Sequence, residues 1–106
     1  MIQVRRPPTV AVPPEVVAFA GAQGVSAFLP AILEMTQRKF PDAQRLAIQV
    51  EEDPEIPDDR HIVIEVDVAG IDPEQYAQAD DEWGHELFHL CPAPQVCVFR
   101  LALGIL

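Results

Sequence analysis

Residues 44–68, QRLAIQVEEDPEIPDDRHIVIEVDV, decide the fold of this chain. Apolar and polar side chains alternate from Gln44 to Glu52 and again from Ile62 to Val68, and an acidic, proline-punctuated segment at 53–59 separates the two runs. Alternation with a period of two is typical of a half-buried strand. Two such runs joined by a short polar turn predict an antiparallel hairpin.

The residues before the hairpin predict an arm and two helices. Four prolines among the first fourteen residues favour an extended arm over 1–14, with Thr9–Val12 as a short edge strand. Pro14 suits the first turn of a short helix that continues to about Ala22. A second helix is expected from about Ser26 to Phe40, because its apolar residues and Thr36 fall on one arc at helical spacing.

After the hairpin, the pattern predicts one more helix and one more strand. Asp72 is a plausible N-cap with Pro73 at the first helical position, and the helix extends to about Leu90. A strand follows from Val96 to Leu103. The chain is therefore expected to be a single two-layer α+β domain over 15–106, with the order helix, helix, strand, strand, helix, strand. The sheet is expected to be three-stranded and mostly antiparallel.

The position of the last strand in that sheet is open. It can extend the sheet beside the second strand, or it can pair antiparallel with the first strand in a split arrangement. We favour the split arrangement.

The composition limits the partners. The 106 residues carry a net charge of -10, and residues 51–86 hold fourteen of the seventeen acids with one base, giving -13. Such a charge repels nucleic acids and anionic lipids, so neither is an expected partner. The N-terminus lacks the apolar core of a secretory signal, and no apolar run approaches the ~20 residues of a membrane helix. We expect a soluble, cytoplasmic protein that needs no cofactor.

One motif suggests metal chemistry. His85-Glu86-Leu-Phe-His89 matches H-E-x-x-H, in which two histidines bind zinc and the glutamate activates water. Catalytic zinc needs a third ligand, which usually lies downstream, but residues 90–106 contain no Asp, Glu or His. Helical spacing also places both histidines opposite the apolar side of their helix, which includes Trp83 and Leu87. We expect a chance match, with weak incidental metal binding and a metal-dependent hydrolase as alternatives.

Other metal sites are less favoured. His85, His89, Cys91 and Cys97 could form a structural zinc site, but Cys91 lies far from His89 around the helix, and we expect both cysteines to be buried small hydrophobes. The carboxylates at 51–59 lack the spacing of a calcium-binding EF-hand. Glu65 and Asp67 share one strand face, which we interpret as a solvated surface.

Parts of the chain resemble a known group of proteins. The stretches VEEDPEI (50–56), DRHIV (59–63) and CPAPQVCVFRL (91–101), together with Trp83, are similar to a group of short bacterial proteins to which no chemistry is assigned. The likeness covers about residues 15–106. It implies no catalytic residues. Proteins of this kind resemble the small partners encoded beside HEPN-type proteins in toxin and antitoxin-like pairs, which favours an interaction role.

These observations favour a non-enzymatic acidic module that binds a protein partner or a second copy of itself. The docking surface is expected to be the acidic middle segment or the apolar last strand. The candidate partner-binding residues are Glu51, Glu52, Asp53, Glu55, Asp58, Asp59, Leu101 and Leu103. The alternative function is a metal-dependent hydrolase that uses His85, Glu86 and His89.

Overall fold

The hairpin forms as the alternation predicts. In a computed structural model, which describes residues 11–105, strand β1 spans Arg45–Glu52 and strand β2 spans Arg60–Val68. They pair antiparallel, with Ile48 opposite Ile64 and Val50 opposite Ile62. The branched apolar side chains of both strands therefore lie on one face of the sheet, where they form the floor of the core.

The last strand does not take the split arrangement. Strand β3, Phe99–Ile105, pairs in parallel with β2, and the strand order is β1-β2-β3. The α+β class and the element order are confirmed, but the expected pairing of the last strand with the first is wrong. The connection from β2 to β3 contains an 18-residue helix, which is long enough to return the chain to the same end of the sheet. A parallel neighbour needs a crossover of that kind.

Three helices cover the apolar face of the sheet. Helix α1 spans Pro14–Gln23, α2 spans Leu29–Lys39 after a 3₁₀ turn, and α3 spans Pro73–Leu90. Helix α1 packs on β1, α3 lies beside β3, and α2 contacts α3. All the helices thus lie on one side, and the other face of the sheet, which we call the open face, has no helix on it among residues 11–105.

The helix boundaries follow local signals. Asp72 caps α3: its carboxylate accepts a hydrogen bond from the Gln75 backbone N–H at 2.8 Å, and the Gln75 side chain accepts one from the Asp72 N–H at 3.2 Å. Helix α1 ends at Gly24, which has φ +72°. Pro14 belongs to α1, so only 1–13 could form the expected arm, and residues 1–10 lie outside the described part of the chain.

No single helix between residues 11 and 105 has the length and apolar character to cross a membrane. The segments Pro14–Gln23 and Ser26–Lys39 would reach that length only jointly, and they meet at a bend of 120°.

Candidate interaction surfaces

Six of the candidate residues form the end of the hairpin. We call residues 51–59 the acidic loop; its carboxylates belong to Glu51, Glu52, Asp53, Glu55, Asp58 and Asp59. The Asp53 N–H donates to the Asp59 carbonyl at 2.9 Å, which closes the loop. The sequence therefore concentrates six negative charges where the chain reverses direction.

Two of these carboxylates build the turn itself. Asp53 Oδ1 accepts a hydrogen bond from the Glu55 N–H at 2.8 Å, and Glu52 Oε1 accepts one from the Asp58 N–H at 3.3 Å. Asp58 has φ +65°, a left-handed conformation that Asp tolerates better than most residues. The acidic loop thus has a defined shape, held by its own acceptors.

The acidic loop also presents an apolar side chain. Ile56 is 54% exposed between the carboxylates. Within residues 11–105, only one of the six carboxylates has a basic side chain within 4 Å: Asp59, whose Oδ1 lies 3.3 Å from His61 Nε2. The other five are not paired with a described cation. An apolar side chain in a loop of carboxylates that lack a described cation is an arrangement that a basic partner can complement.

A shallow cleft adjoins the acidic loop on the open face. Its volume is about 460 Å³, and it is lined by Glu51, Glu52, Asp53, Pro54, His61, Val63 and Arg100. The register explains this grouping, because Glu51 pairs with His61 across β1 and β2 while Val63 pairs with Arg100 across β2 and β3. The described part of the chain contributes no hydroxyl, thiol or amine nucleophile to this lining.

One histidine nitrogen in the cleft has two neighbours. His61 Nε2 lies 2.9 Å from Arg100 Nη2 and 3.3 Å from Asp59 Oδ1. Arginine can only donate, so its contact requires that Nε2 accepts and the ring is neutral. The contact with Asp59 is favourable only when Nε2 carries a proton. A single protonation state of Nε2 therefore cannot satisfy both neighbours.

The remaining polar groups of the open face pair with one another. Arg45 Nη1 lies 3.0 Å from Glu65 Oε2 and 3.4 Å from Asp67 Oδ2, and Gln49 Nε2 donates to Glu65 at 2.6 Å. Hydrogen bonds to Glu65 and then to Asp67 raise the pKa of the Arg45 guanidinium. Glu65 and Asp67 do share one face, as the alternation predicts, and both are half-buried and paired with Arg45.

Leu101 and Leu103 lie apart from the acidic loop, along β3. Both side chains are half-buried and pack against the core, and the Tyr76 hydroxyl of α3 donates to the Leu103 carbonyl at 3.0 Å. The strand lies at an edge of the sheet. The sequence candidates therefore belong to two separate surfaces, the acidic loop and the β3 edge.

The H-E-x-x-H residues point away from the core. His85 and His89 are exposed, as helical spacing predicts, and His85 Nδ1 lies 3.5 Å from Asp81 of the same helix. Glu86 lies 3.9 Å from Lys39 and 4.0 Å from Arg38, both on α2. Among residues 11–105, no three His, Cys, Asp or Glu side chains come close enough together to hold an ion.

The two cysteines differ. Cys91 is fully buried, and burial raises the pKa of its thiol. Cys97 is exposed, so the expectation that both cysteines are buried hydrophobes is wrong for Cys97. A 3₁₀ turn at Gln95–Val98 precedes β3, and it rotates Cys97 away from the side it would have occupied in a continuous strand.

Comparisons with known proteins give no relative. No family model matches the chain, and no curated protein or solved structure matches it either.

Sequence reasoning missed two features of these surfaces. The exposure of Ile56 and the contact between His61 and Arg100 were not predicted. The position of Ile56 in the turn was a usable signal, because an apolar residue at a hairpin end has few neighbours to cover it. The contact with Arg100 depends on the parallel pairing of β3, which no local pattern indicates.

Proposed function

We propose that this protein is a non-enzymatic binding module and that the acidic loop is its docking surface for a basic protein. One observation carries the proposal: the acidic loop holds six carboxylates together with the exposed Ile56, and five of these carboxylates have no basic side chain within 4 Å among the described residues. The partner we expect is a neighbouring gene product, with this chain as the antitoxin-like or regulatory member of the pair.

The chemistry of the acidic loop defines the partner surface. Carboxylates with no cation beside them in the same chain produce a negative electrostatic potential around the loop. This potential accelerates association with a basic protein surface and disfavours association with an acidic one. Charge pairs at an exposed rim contribute little affinity, so an apolar contact is needed at the centre. Ile56 supplies such a contact. The matching surface is an apolar pocket with lysines or arginines around it.

The open-face cleft gives no support to a catalytic role. Among residues 11–105 its lining offers His61, Arg100 and three carboxylates, and no hydroxyl, thiol or amine nucleophile. His61 is held by Arg100, which occupies the nitrogen that a general base would use. The cleft is consistent with a polar rim beside the acidic loop.

The test is titration of this chain with the neighbouring gene product, with two variants of equal charge. The first changes Glu51, Glu52 and Glu55 of the acidic loop to Gln. The control changes Glu74 and Glu82 to Gln and Asp80 to Asn on α3, all of which are exposed. Affinity should fall by about tenfold or more for the acidic-loop variant and by less than about twofold for the control.

Salt and the apolar contact give further readouts. Affinity should fall as NaCl rises from about 0.05 M to 0.5 M, because screening weakens exposed charge pairs. Ile56→Ser should weaken binding without changing this salt slope. If the two charge variants lost the same affinity, or if affinity did not depend on salt, the acidic loop would not be part of the interface.

A further inference from the structure

The edge at β3 lacks the features that usually prevent strand pairing. Natural edge strands carry lysines, prolines, bulges or inward charges. β3 has no proline or lysine, its only charge is Arg100, and its last residue, Ile105, is 55% exposed. The opposite edge, β1, is different, because both of its ends are charged.

On the open face, β3 carries two small residues, and one of them lies next to a carboxylate. Arg100, Ala102 and Gly104 alternate along this side. Gly104 pairs with Asp67 of β2, and a Cβ at position 104 would collide with Asp67 Oδ1. The Asp67 carboxylate thus extends over β3. Its Oδ2 faces Arg45, and its Oδ1 lies above Gly104 toward the edge.

We propose that β3 pairs antiparallel with β3 of a second copy of this chain, with Ala102 on the two-fold axis, to form a continuous six-stranded sheet. In this register Arg100 of each copy lies directly opposite Gly104 of the other. Directly opposed residues have Cβ atoms about 5 Å apart, and an arginine side chain easily spans the further distance to Asp67. Arg100 exchanges its contact with His61 of its own chain for this one, and two complementary charge contacts result, one on each side of the axis.

The same register covers exposed apolar side chains on the helical side of the sheet. Ile105 of one copy lies opposite Phe99 of the other, where the chain enters β3 from α3. The last turn of α3 carries Phe88, which is 64% exposed. Phe88 follows Glu86 by two residues and so points away from α2, which Glu86 contacts. Phe88 thus lies at the end of α3 from which the chain runs to Phe99, the residue that Ile105 of the other copy faces.

Electrostatics favours the antiparallel pairing. β2 and β3 are parallel, so the acidic loop that precedes β2 lies at the end of the sheet where β3 begins. An antiparallel dimer therefore carries its two acidic loops at opposite ends, whereas a parallel dimer would bring them together. The dimer interface includes no residue of the acidic loop, so this inference goes beyond the proposed function. The dimer would present two acidic loops to partners.

The test is the molar mass of the intact chain in solution. Sedimentation and light scattering from about 10 µM to 1 mM should show a shift from 11.7 kDa toward twice that value. Ala102→Lys, at an exposed position, places two lysines together on the axis and should keep the chain monomeric. The control, Ala18→Lys, makes the same change on an exposed position of α1 and should leave the dimer intact.

Charge exchange tests the register. Arg100→Glu and Asp67→Lys chains should each dimerise about tenfold more weakly, because each faces a like charge in its own dimer. An equimolar mixture of the two should recover the wild-type affinity, since the heterodimer has one native and one reversed contact.

A monomer at 1 mM, equal behaviour of the two lysine variants, or a mixture no tighter than its components would each overturn the proposal. The acidic-loop variant with Gln at 51, 52 and 55 should still dimerise, so the failure of the dimer and the failure of partner binding are seen separately.

Discussion

At the scale of single residues, Thr36 is the polar group on which the helix layer depends. It is fully buried on α2; its hydroxyl donates to the Ile32 carbonyl at 2.7 Å and accepts from the Trp83 indole N–H at 2.9 Å. The sequence placed Thr36 on the inward arc of α2 and Trp83 on the inward arc of α3. It could not predict their contact, because the residues lie 47 positions apart and meet only when the helices pack.

Replacement of this hydroxyl should destabilise the fold. Thr36→Val keeps the shape of the side chain but leaves a buried indole N–H without an acceptor, which costs about 1–3 kcal/mol. Thr36→Ser retains the hydroxyl and should cost less. The protein has one tryptophan, so its fluorescence reports urea unfolding directly. A Val variant as stable as the Ser variant would show that the indole contact contributes nothing.

The two cysteines should differ in reactivity. Cys97 is exposed. Cys91 is buried and the pKa of its thiol is raised, so Cys91 stays protonated and inaccessible at neutral pH. A chromogenic disulfide reagent should modify one thiol rapidly in the native protein and the second only in denaturant. Cys97→Ser should remove the rapid phase, and Cys91→Ser should leave it. Two rapid phases in the native protein would contradict the burial of Cys91.

At the scale of elements, what could be predicted from sequence depends on how local the signals are. The hairpin was predicted because alternation fixes which side chains of a strand share a face, and the short turn leaves one partner for each strand. The start of α3 was predicted from Asp72 and Pro73. The position of β3 was not, because both arrangements bury the same apolar residues and differ only in which strand the returning chain meets.

The cap of α3 gives an element-scale prediction. Asp72→Ala removes the acceptor for the Gln75 N–H and should destabilise the protein by about 1 kcal/mol. Asp72→Asn keeps an acceptor oxygen at the same place and should cost much less. Chemical denaturation of both variants measures the difference. If Asn and Ala are equally destabilising, the negative charge at the helix start, rather than the hydrogen bond, stabilises α3.

At the scale of the whole molecule, the structure divides the acidic middle segment into three parts. Six carboxylates form the acidic loop, Glu65 and Asp67 pair with Arg45 on the open face, and the rest belong to α3 and its cap. The sequence showed the excess charge and its approximate place. It could not show which acids pair with a cation, because Arg45 lies twenty or more residues from its two partners.

This division predicts how salt affects stability. A chain with a net charge of -10 repels itself when folded, and the acidic loop concentrates that repulsion. The urea midpoint should therefore rise between about 10 mM and 150 mM NaCl, where the screening length falls from about 30 Å to 8 Å. The acidic-loop variant with Gln at 51, 52 and 55 should be more stable at low salt and respond less to added salt. The α3 control loses the same charge from a helix whose acids are spread over several turns, and it should gain less. If both variants gain equally, the repulsion comes from net charge alone and the acidic loop has no particular part in it.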